Sequence, residues 1–340
     1  MSDLGFIIEK IILISIVLGF TLVIAMYATY AERKLAAFMQ DRVGPNRAGP
    51  LGVLQPLADG LKFMFKEAFM PASANMFLFI LGPAISMIAA CMACAVIPWG
   101  SSLLIFGRTV SLQIADLNVG VLYLFAVVSM GVYGIMIGGW ASNNKYSLLS
   151  TIRASSQMIS YELAMGISLI TLTLSTGSLG LKSIVESQVG WHWNIFVQPL
   201  GFVIFMICSF AETNRVPFDL PECETELVGG YHTEYSGMQL GFYMFAEYIT
   251  MFISSAVMST LYFGGYHFPL IARLGLSHNL ETLLGTGLFF AKIFFFMFVF
   301  IWVRWTLPRF RYDQLIRLGW KILLPLSLLN LFITAIVLLL

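Results

Sequence analysis

Charge is scarce in this 340-residue chain: Asp, Glu, Lys and Arg together make up 11 % of it, where a soluble domain typically carries about 25 %. With 59 % hydrophobic residues and a mean hydropathy of +0.85, that shortage excludes a water-soluble protein and implies an integral membrane protein. A net charge of +1 without any basic tract gives nucleic acid nothing to bind. Cysteine is rare, at Cys91, Cys94, Cys208 and Cys223. The Cys91-Met-Ala-Cys94 spacing suits a redox pair, but it lies in an apolar run without a second Cys or His pair, so packing is the better account. The four histidines are scattered and suggest no metal site. Nucleotide-binding glycine loops, H-E-x-x-H and G-x-S-x-G are all missing. The chain is therefore expected to bind no cofactor itself, and any electron carrier nearby belongs to a partner. No cleavage-site pattern follows the first apolar run, which reads as a retained span. No repeat or linker divides the sequence, so residues 1–340 read as a single polytopic membrane domain.

What is abundant is apolar sequence in lengths suited to a bilayer, about 20 residues each. The fold class expected is an all-α integral membrane protein with eight transmembrane helices: Ile7–Tyr30, Met76–Ile97, Val119–Trp140, Gln157–Thr176, Ile195–Ala211, Met238–Phe263, Thr286–Thr306 and Lys321–Leu340. All seven tryptophans fall near span ends, where an amphipathic ring prefers the headgroup layer. The odd-numbered connections and their flanks carry fourteen Lys and Arg, the even ones three. By the positive-inside rule the odd connections face inward and both termini lie outside. In the first connection, Leu54, Leu57, Leu61, Met64, Phe65 and Ala68 share one helical face opposite Asp59, Lys62 and Lys66. That pattern predicts an amphipathic helix of about 18 residues along the inner interface. It serves either as a surface anchor or as one side of a lipid-facing doorway.

The scarce acids are concentrated. The inner loop Ala211–Gly237 holds Glu212, Asp219, Glu222, Glu224, Glu226 and Glu234 against one base, Arg215. Three more carboxylates interrupt or adjoin spans: Glu32, Glu162 and Glu247. A charge at mid-span costs about 2.5–3.5 kcal/mol on insertion scales, so such groups are expected to face the bundle interior. Burial and like-charge neighbours bring a row of carboxyls into the range where protons exchange near neutral pH. Glu222, Glu224 and Glu226 project to one side if extended and to two if helical. The bland alternative is helix packing by ion pairs, Glu162 with Arg153 or Glu247 with Lys292. Lys292, in the outer half of the seventh span, reads as a relay or an ion-pair partner.

Four blocks carry a resemblance. They are Glu32-Arg33-Lys34 with Gln40, Arg42 and Gly44-Pro45-Asn46; Gly52 through Glu67; Glu212-Thr-Asn-Arg215-Val-Pro-Phe218-Asp219-Leu-Pro-Glu222-Cys-Glu224-Thr-Glu226; and Pro308-Arg309-Phe310-Arg311-Tyr312-Asp313-Gln314. With Gln157-Met-Ile-Ser160-Tyr161-Glu162 between them, they resemble the quinone-site membrane subunit of respiratory complex I, the proton-pumping NADH:quinone oxidoreductase, across essentially the full chain. The resemblance implies a chamber that quinone, the substrate, enters from the lipid, lined or gated by Arg33, Arg42, Ala58, Asp59, Phe218 and Arg304. It implies a proton-coupling set of Glu32, Glu162, Glu212, Asp219, Glu222, Glu224, Glu226, Glu234, Glu247 and Lys292. It further implies an iron–sulfur cluster and FMN in partner subunits: hydrogenase-like peripheral subunits at the inner face, with small and antiporter-like subunits in the membrane. A bacterial inner membrane is the preferred location over a mitochondrial one. The alternatives are the membrane anchor of an energy-converting hydrogenase and a free-standing cation/proton transporter. The missing inverted repeats count against the transporter.

Overall fold

The computed structural model describes residues 3–340 apart from 106, 222, 223, 270, 272–274 and 276, and leaves the side chains of 3, 4, 105, 224 and 225 undescribed. Long apolar sequence folds here as helix because only a helix satisfies its own backbone away from water. Helix α1 is Asp3–Met39, α2 Gln55–Phe65, α3 Met76–Ala93, α4 Gly120–Ala141, α5 Lys145–Thr176, α6 Leu181–Ser187, α7 Asn194–Val197, α8 Pro199–Glu212, α9 Glu224–Leu227, α10 Gly237–Tyr262, α11 His278–Thr306, α12 Tyr312–Arg317 and α13 Leu324–Leu339. Asn75 and Asn144 cap α3 and α5, their side chains accepting from backbone N–H groups of the first turn.

Among the described residues, seven helices are long and apolar enough to cross a membrane: α1, α3, α4, α5, α10, α11 and the continuous run from α12 into α13. The fifth expected span, Ile195–Ala211, is broken instead into α7 and the 14-residue α8. Gln198, forced out of helical geometry ahead of Pro199, is the break. An opened backbone in apolar surroundings needs polar neighbours. Here α13 brings them: the Gln198 side chain donates to Thr334 Oγ1 (2.8 Å) and accepts from Asn330 (3.0 Å).

Three further differences from the expected fold have local causes. The amphipathic helix expected in the first connection, α2, covers 11 residues rather than about 18, because Lys66 turns extended and residues 66–68 pack on Gly237. The expected all-helical fold also contains a two-stranded antiparallel hairpin, β1 Ser102–Ile105 and β2 Arg108–Ser111, in the connection between α3 and α4. Asn279 and Thr282 of α11 hold its edge. The last span begins with a π turn, Leu318–Leu323, just before Pro325, whose ring has no N–H to give and would strike the carbonyl four residues back.

In the packing, α3 lies along α4 and α10, α5 contacts α4, α8 and α13, and α10 also meets α1 and α11. Glycine lets α3 and α4 touch: a methyl at Gly82 would come within 2.7 Å of the Gly138 Cα. Pro83 inside α3 leaves the Phe79 carbonyl without its helical donor. The Tyr235 phenol, delivered by the acidic loop, supplies that bond at 3.0 Å while its ring stacks on Phe79. Burial pushes the Tyr235 phenol up to about 12, so it stays a neutral donor. The loop is thus built into the helix bundle.

Candidate functional site

The C-terminal part of α1, the loop after α8, α10 and α11 each send one polar group to a single buried point. Glu32 accepts from Arg215 (2.7 Å) and from the Tyr248 hydroxyl (2.9 Å), and its other oxygen pairs with Arg304. The Arg215 guanidinium also lies 4.2 Å from the centre of the Tyr248 ring. Glu32 and Arg215 are 5 % and 3 % exposed, so each is held ionised by the other rather than by water. Burial works against the Arg215 cation, but Glu32, then Tyr248 and Glu247, outweigh it and raise its pKa above the ordinary guanidinium value. Two of its nitrogens, Nε and Nη2, are buried and find no hydrogen-bond partner among the described residues. Two bases on one acid leave this cluster with a net positive charge.

A second group lies beside it. Residue 214 carries a left-handed backbone (φ 49°) that turns the chain out of α8, and its side chain lines a cavity of about 70 Å³. Glu162 from α5, Glu212 from the end of α8 and Glu247 from α10 line the same cavity, with Ser129, Tyr231 and Tyr243. A space of that size, with carboxylates and hydroxyls set into a mostly apolar wall, has room for a few waters. Glu162 accepts a hydrogen bond from Ser129, and Glu247 accepts one from the Tyr231 hydroxyl at 3.2 Å. Glu162 and Glu212 are close enough to feel each other's charge.

Toward the α2 end, Arg33 and Asp59 form a 2.6 Å ion pair that fixes α2 to α1. Phe218 is buried between the rings of Tyr161 and Phe310, and next to it Asp219 pairs with Arg309 at 2.8 Å. Gln157 donates to the carbonyls of Ala211 and Phe218 and so ties the loop to α5.

The sequence-derived residues therefore divide. Glu32 and Arg304 meet directly, Glu162, Glu212 and Glu247 share a cavity, and Arg33 meets Asp59. Ala58 and Arg42 are exposed, Arg42 donating to Gln40 at 2.8 Å. Glu226 pairs with Arg153 (2.8 Å), and Glu234 accepts from Asn144 (2.6 Å). Glu222 lies outside the described residues, as does the Glu224 side chain. Residues 224–227 form one helical turn, and the joint arrangement of the Glu222, Glu224 and Glu226 side chains falls outside what is described. The suggested Glu162–Arg153 pair is not formed, because Arg153 is taken by Glu226. Lys292 is far from the cluster in the fold: its ammonium donates to the carbonyls of Phe263 (2.7 Å), Gly265 (2.7 Å) and His267 (3.2 Å) just past the end of α10.

Four participants were not assigned from sequence: Arg215, Tyr248, Arg309 and Tyr231. Arg215 had a signal, being the one base in an acidic stretch, and a lone base among acids needs a partner. Arg309 stands in a recognisable block. Tyr231 and Tyr248 had none, since their place depends on how the loop and α10 pack. Among the described residues, no group of three or more His, Cys, Asp or Glu side chains is arranged to hold a metal.

Comparison with known proteins adds a family. A family model described as NADH dehydrogenase matches residues 11–335. The chain is 65 % identical to a Cytophaga hutchinsonii protein named as one of the subunits of NADH-quinone oxidoreductase, over 97 % of this chain and 96 % of that protein. It is 60 % identical to the corresponding Flavobacterium johnsoniae protein, which carries the same name, over 98 % and 96 %. The Protochlamydia amoebophila protein of that name is 50 % identical, over 92 % of each chain.

Proposed function

We propose, from the premise that this chain belongs to the NADH dehydrogenase family, that it is the membrane subunit of a proton-pumping NADH:quinone oxidoreductase in which quinone is received and its reduction is coupled to proton movement. The carrying observation is the shared cavity: carboxylates from α5, α8 and α10 converge on one otherwise largely apolar space, whose lining residue 214 adjoins Arg215 of the buried Glu32–Arg215–Arg304 cluster. Reducing a quinone to quinol takes up two protons and two electrons. In this reading a neighbouring subunit delivers the electrons, and this chain's carboxylates respond to the protons.

The chain is then one polytopic domain with eight spans, α7 and α8 together making the short fifth one. The acidic loop is on the inner side and both termini are outside. Helix α2 lies at the inner interface with Leu57, Leu61, Met64 and Phe65, all exposed in the isolated chain, turned to lipid. Ala58 and the Arg33–Asp59 pair then sit at the quinone doorway, with Arg42 on the adjoining loop. Phe218 and Arg304 face the chamber deeper in. Glu32, Asp219, Glu222, Glu224, Glu226 and Glu234 form the inner-side acidic margin, and Glu162, Glu212 and Glu247 the intramembrane part of the proton route. Lys292 has a different task from coupling, because its ammonium is directed at backbone carbonyls. The iron–sulfur cluster and FMN belong to peripheral partners, and further membrane subunits complete the pump. The names of the relatives and the retained α2 favour this over a hydrogenase anchor, and their bacterial sources favour a bacterial inner membrane.

The test is Glu162→Gln in the assembled complex. Coupled quinone reduction and proton pumping should fall about tenfold, equivalent to about 1.4 kcal/mol of barrier, with the complex still assembled. A normal rate with a normal proton yield would remove Glu162 from the route.

A further inference from the structure

Tyr231 stands between the acidic loop and the intramembrane carboxylates. It lies in the short helical turn Gly230–His232, yet its side chain is only 1 % exposed and forms part of the cavity wall. Its ring meets Tyr243 edge-on at 5.1 Å, and its hydroxyl donates to Glu247 Oε1 at 3.2 Å. The backbone of the same turn is fastened to the start of α5: Ser147 Oγ donates to the Tyr231 carbonyl at 2.9 Å, and three residues on Glu234 accepts from Asn144. Upstream, Val228 is held at φ 67°, a conformation that a β-branched residue rarely adopts. The turn is thus a lever, with one end on α5 and the other on Glu247.

We infer that Tyr231 is a positioning residue for the coupling chemistry: carried by the acidic loop, its phenol holds Glu247 at the cavity wall, so that displacement of the loop changes the proton occupancy of Glu247. The inference rests on the reading of Glu247 as a coupling group. Tyr231 keeps its own proton throughout; it donates a hydrogen bond and transfers nothing. A donor aimed at a carboxylate favours the ionised form over the acid, so making or losing this bond acts on the proton that Glu247 carries. Among the described residues, the charged or titratable groups around Glu247 include Glu162 from α5, Cys208 and Glu212 from α8, Tyr243 and Tyr248 of α10 and, beyond residue 214, Arg215 with Glu32 and Arg304. His232, on the same turn as Tyr231, stacks on its ring at 5.2 Å and would move with it.

The experiment compares Tyr231→Phe, Glu247→Gln and the double variant in inverted membrane vesicles, with the assembled complex quantified by copurification of its partner subunits. Tyr231→Phe keeps the ring and its packing and removes only the donor. Expected is a loss of about fivefold in coupled turnover, the usual worth of one hydrogen bond. The KM for quinone should stay unchanged and the pH profile should be displaced. In the Glu247→Gln background, adding Tyr231→Phe should cause no further loss and no further displacement, since the group it acts through no longer titrates. If the double variant is slower than Glu247→Gln by the same fivefold, Tyr231 acts through packing and the inference is overturned. A normal Tyr231→Phe beside an impaired Glu247→Gln overturns this inference alone. A normal Glu247→Gln overturns the reading beneath it as well.

Discussion

The two ends of the bundle bury charge in opposite ways. At the acidic-loop end, Glu32 faces Arg215 and Arg304, and three carboxylates share a cavity with hydroxyls and an amide. At the other end, Lys292 gives its ammonium to three backbone carbonyls, and Lys10 gives its own to the carbonyls of Gln113 and Ile114. Carbonyls cannot titrate and cannot leave the chain, so a lysine held by them keeps its place. Carboxylates can exchange protons, and guanidinium groups, which keep theirs, can exchange carboxylate partners. The same desolvation problem thus has a more rigid solution at one end and a more adjustable one at the other, and the proposed coupling is placed at the adjustable end.

The contrast is broken most severely by Arg215→Met, which leaves buried Glu32 with Arg304 and the Tyr248 hydroxyl. Removing one partner of a buried pair typically costs about 3–5 kcal/mol, so the yield of assembled complex and its thermal midpoint should both drop sharply; an unchanged midpoint would show that Arg304 and Tyr248 suffice. Lys292→Met should cost about 2 kcal/mol through the lost charged hydrogen bonds, lowering the thermal midpoint while proton yield per electron stays normal. A lowered yield at normal stability would return Lys292 to the coupling set. Ala58→Phe, at the proposed doorway, should raise the apparent KM for quinone about fivefold, worth about 1 kcal/mol, and leave the proton yield alone.

The smallest expected effect is a pH dependence at the Lys292 end. The pKa of His267 is lowered by burial, with Lys292 acting in the same direction and Glu186 and Glu281 opposing. Protonation therefore disfavours the folded state: the stability from neutral His267 is present above about pH 6.5, the unfolded value, and is lost as pH falls through the lowered folded value. His267→Gln should flatten the acid side of a thermal-stability profile below about pH 6.5. An unflattened profile would assign the acid sensitivity to other groups.

Much of this was legible beforehand because lipid constrains sequence so severely. Seven of the expected spans are helices of spanning length, since about 20 apolar residues in a row have few other uses. The acids of α5 and α10 stood out for the same reason, as they would be unfavourable anywhere but an interior. Three features were not legible. Gln198 breaks the fifth span ahead of Pro199, and what the sequence hides is that Asn330 and Thr334 arrive from α13 to meet its side chain there. The hairpin at Ser102–Ser111 is short, and its strands carry no clean alternation. Charge pairing was least legible: Arg153 found Glu226 rather than Glu162, and Lys292 found backbone rather than Glu247.

By itself the sequence determined that this chain lives in a membrane, which segments are apolar enough to cross it, and which few charges are too unfavourable there to be incidental. Those properties are local sums of transfer free energy, and a single strand of text contains them. Tertiary structure alone decided that Glu32 meets a base 183 residues away, that three acids from three helices share one small cavity, and that Tyr231 reaches Glu247. Each of those contacts depends on the angle and register at which helices pack, and close packing fixes those jointly for the whole bundle.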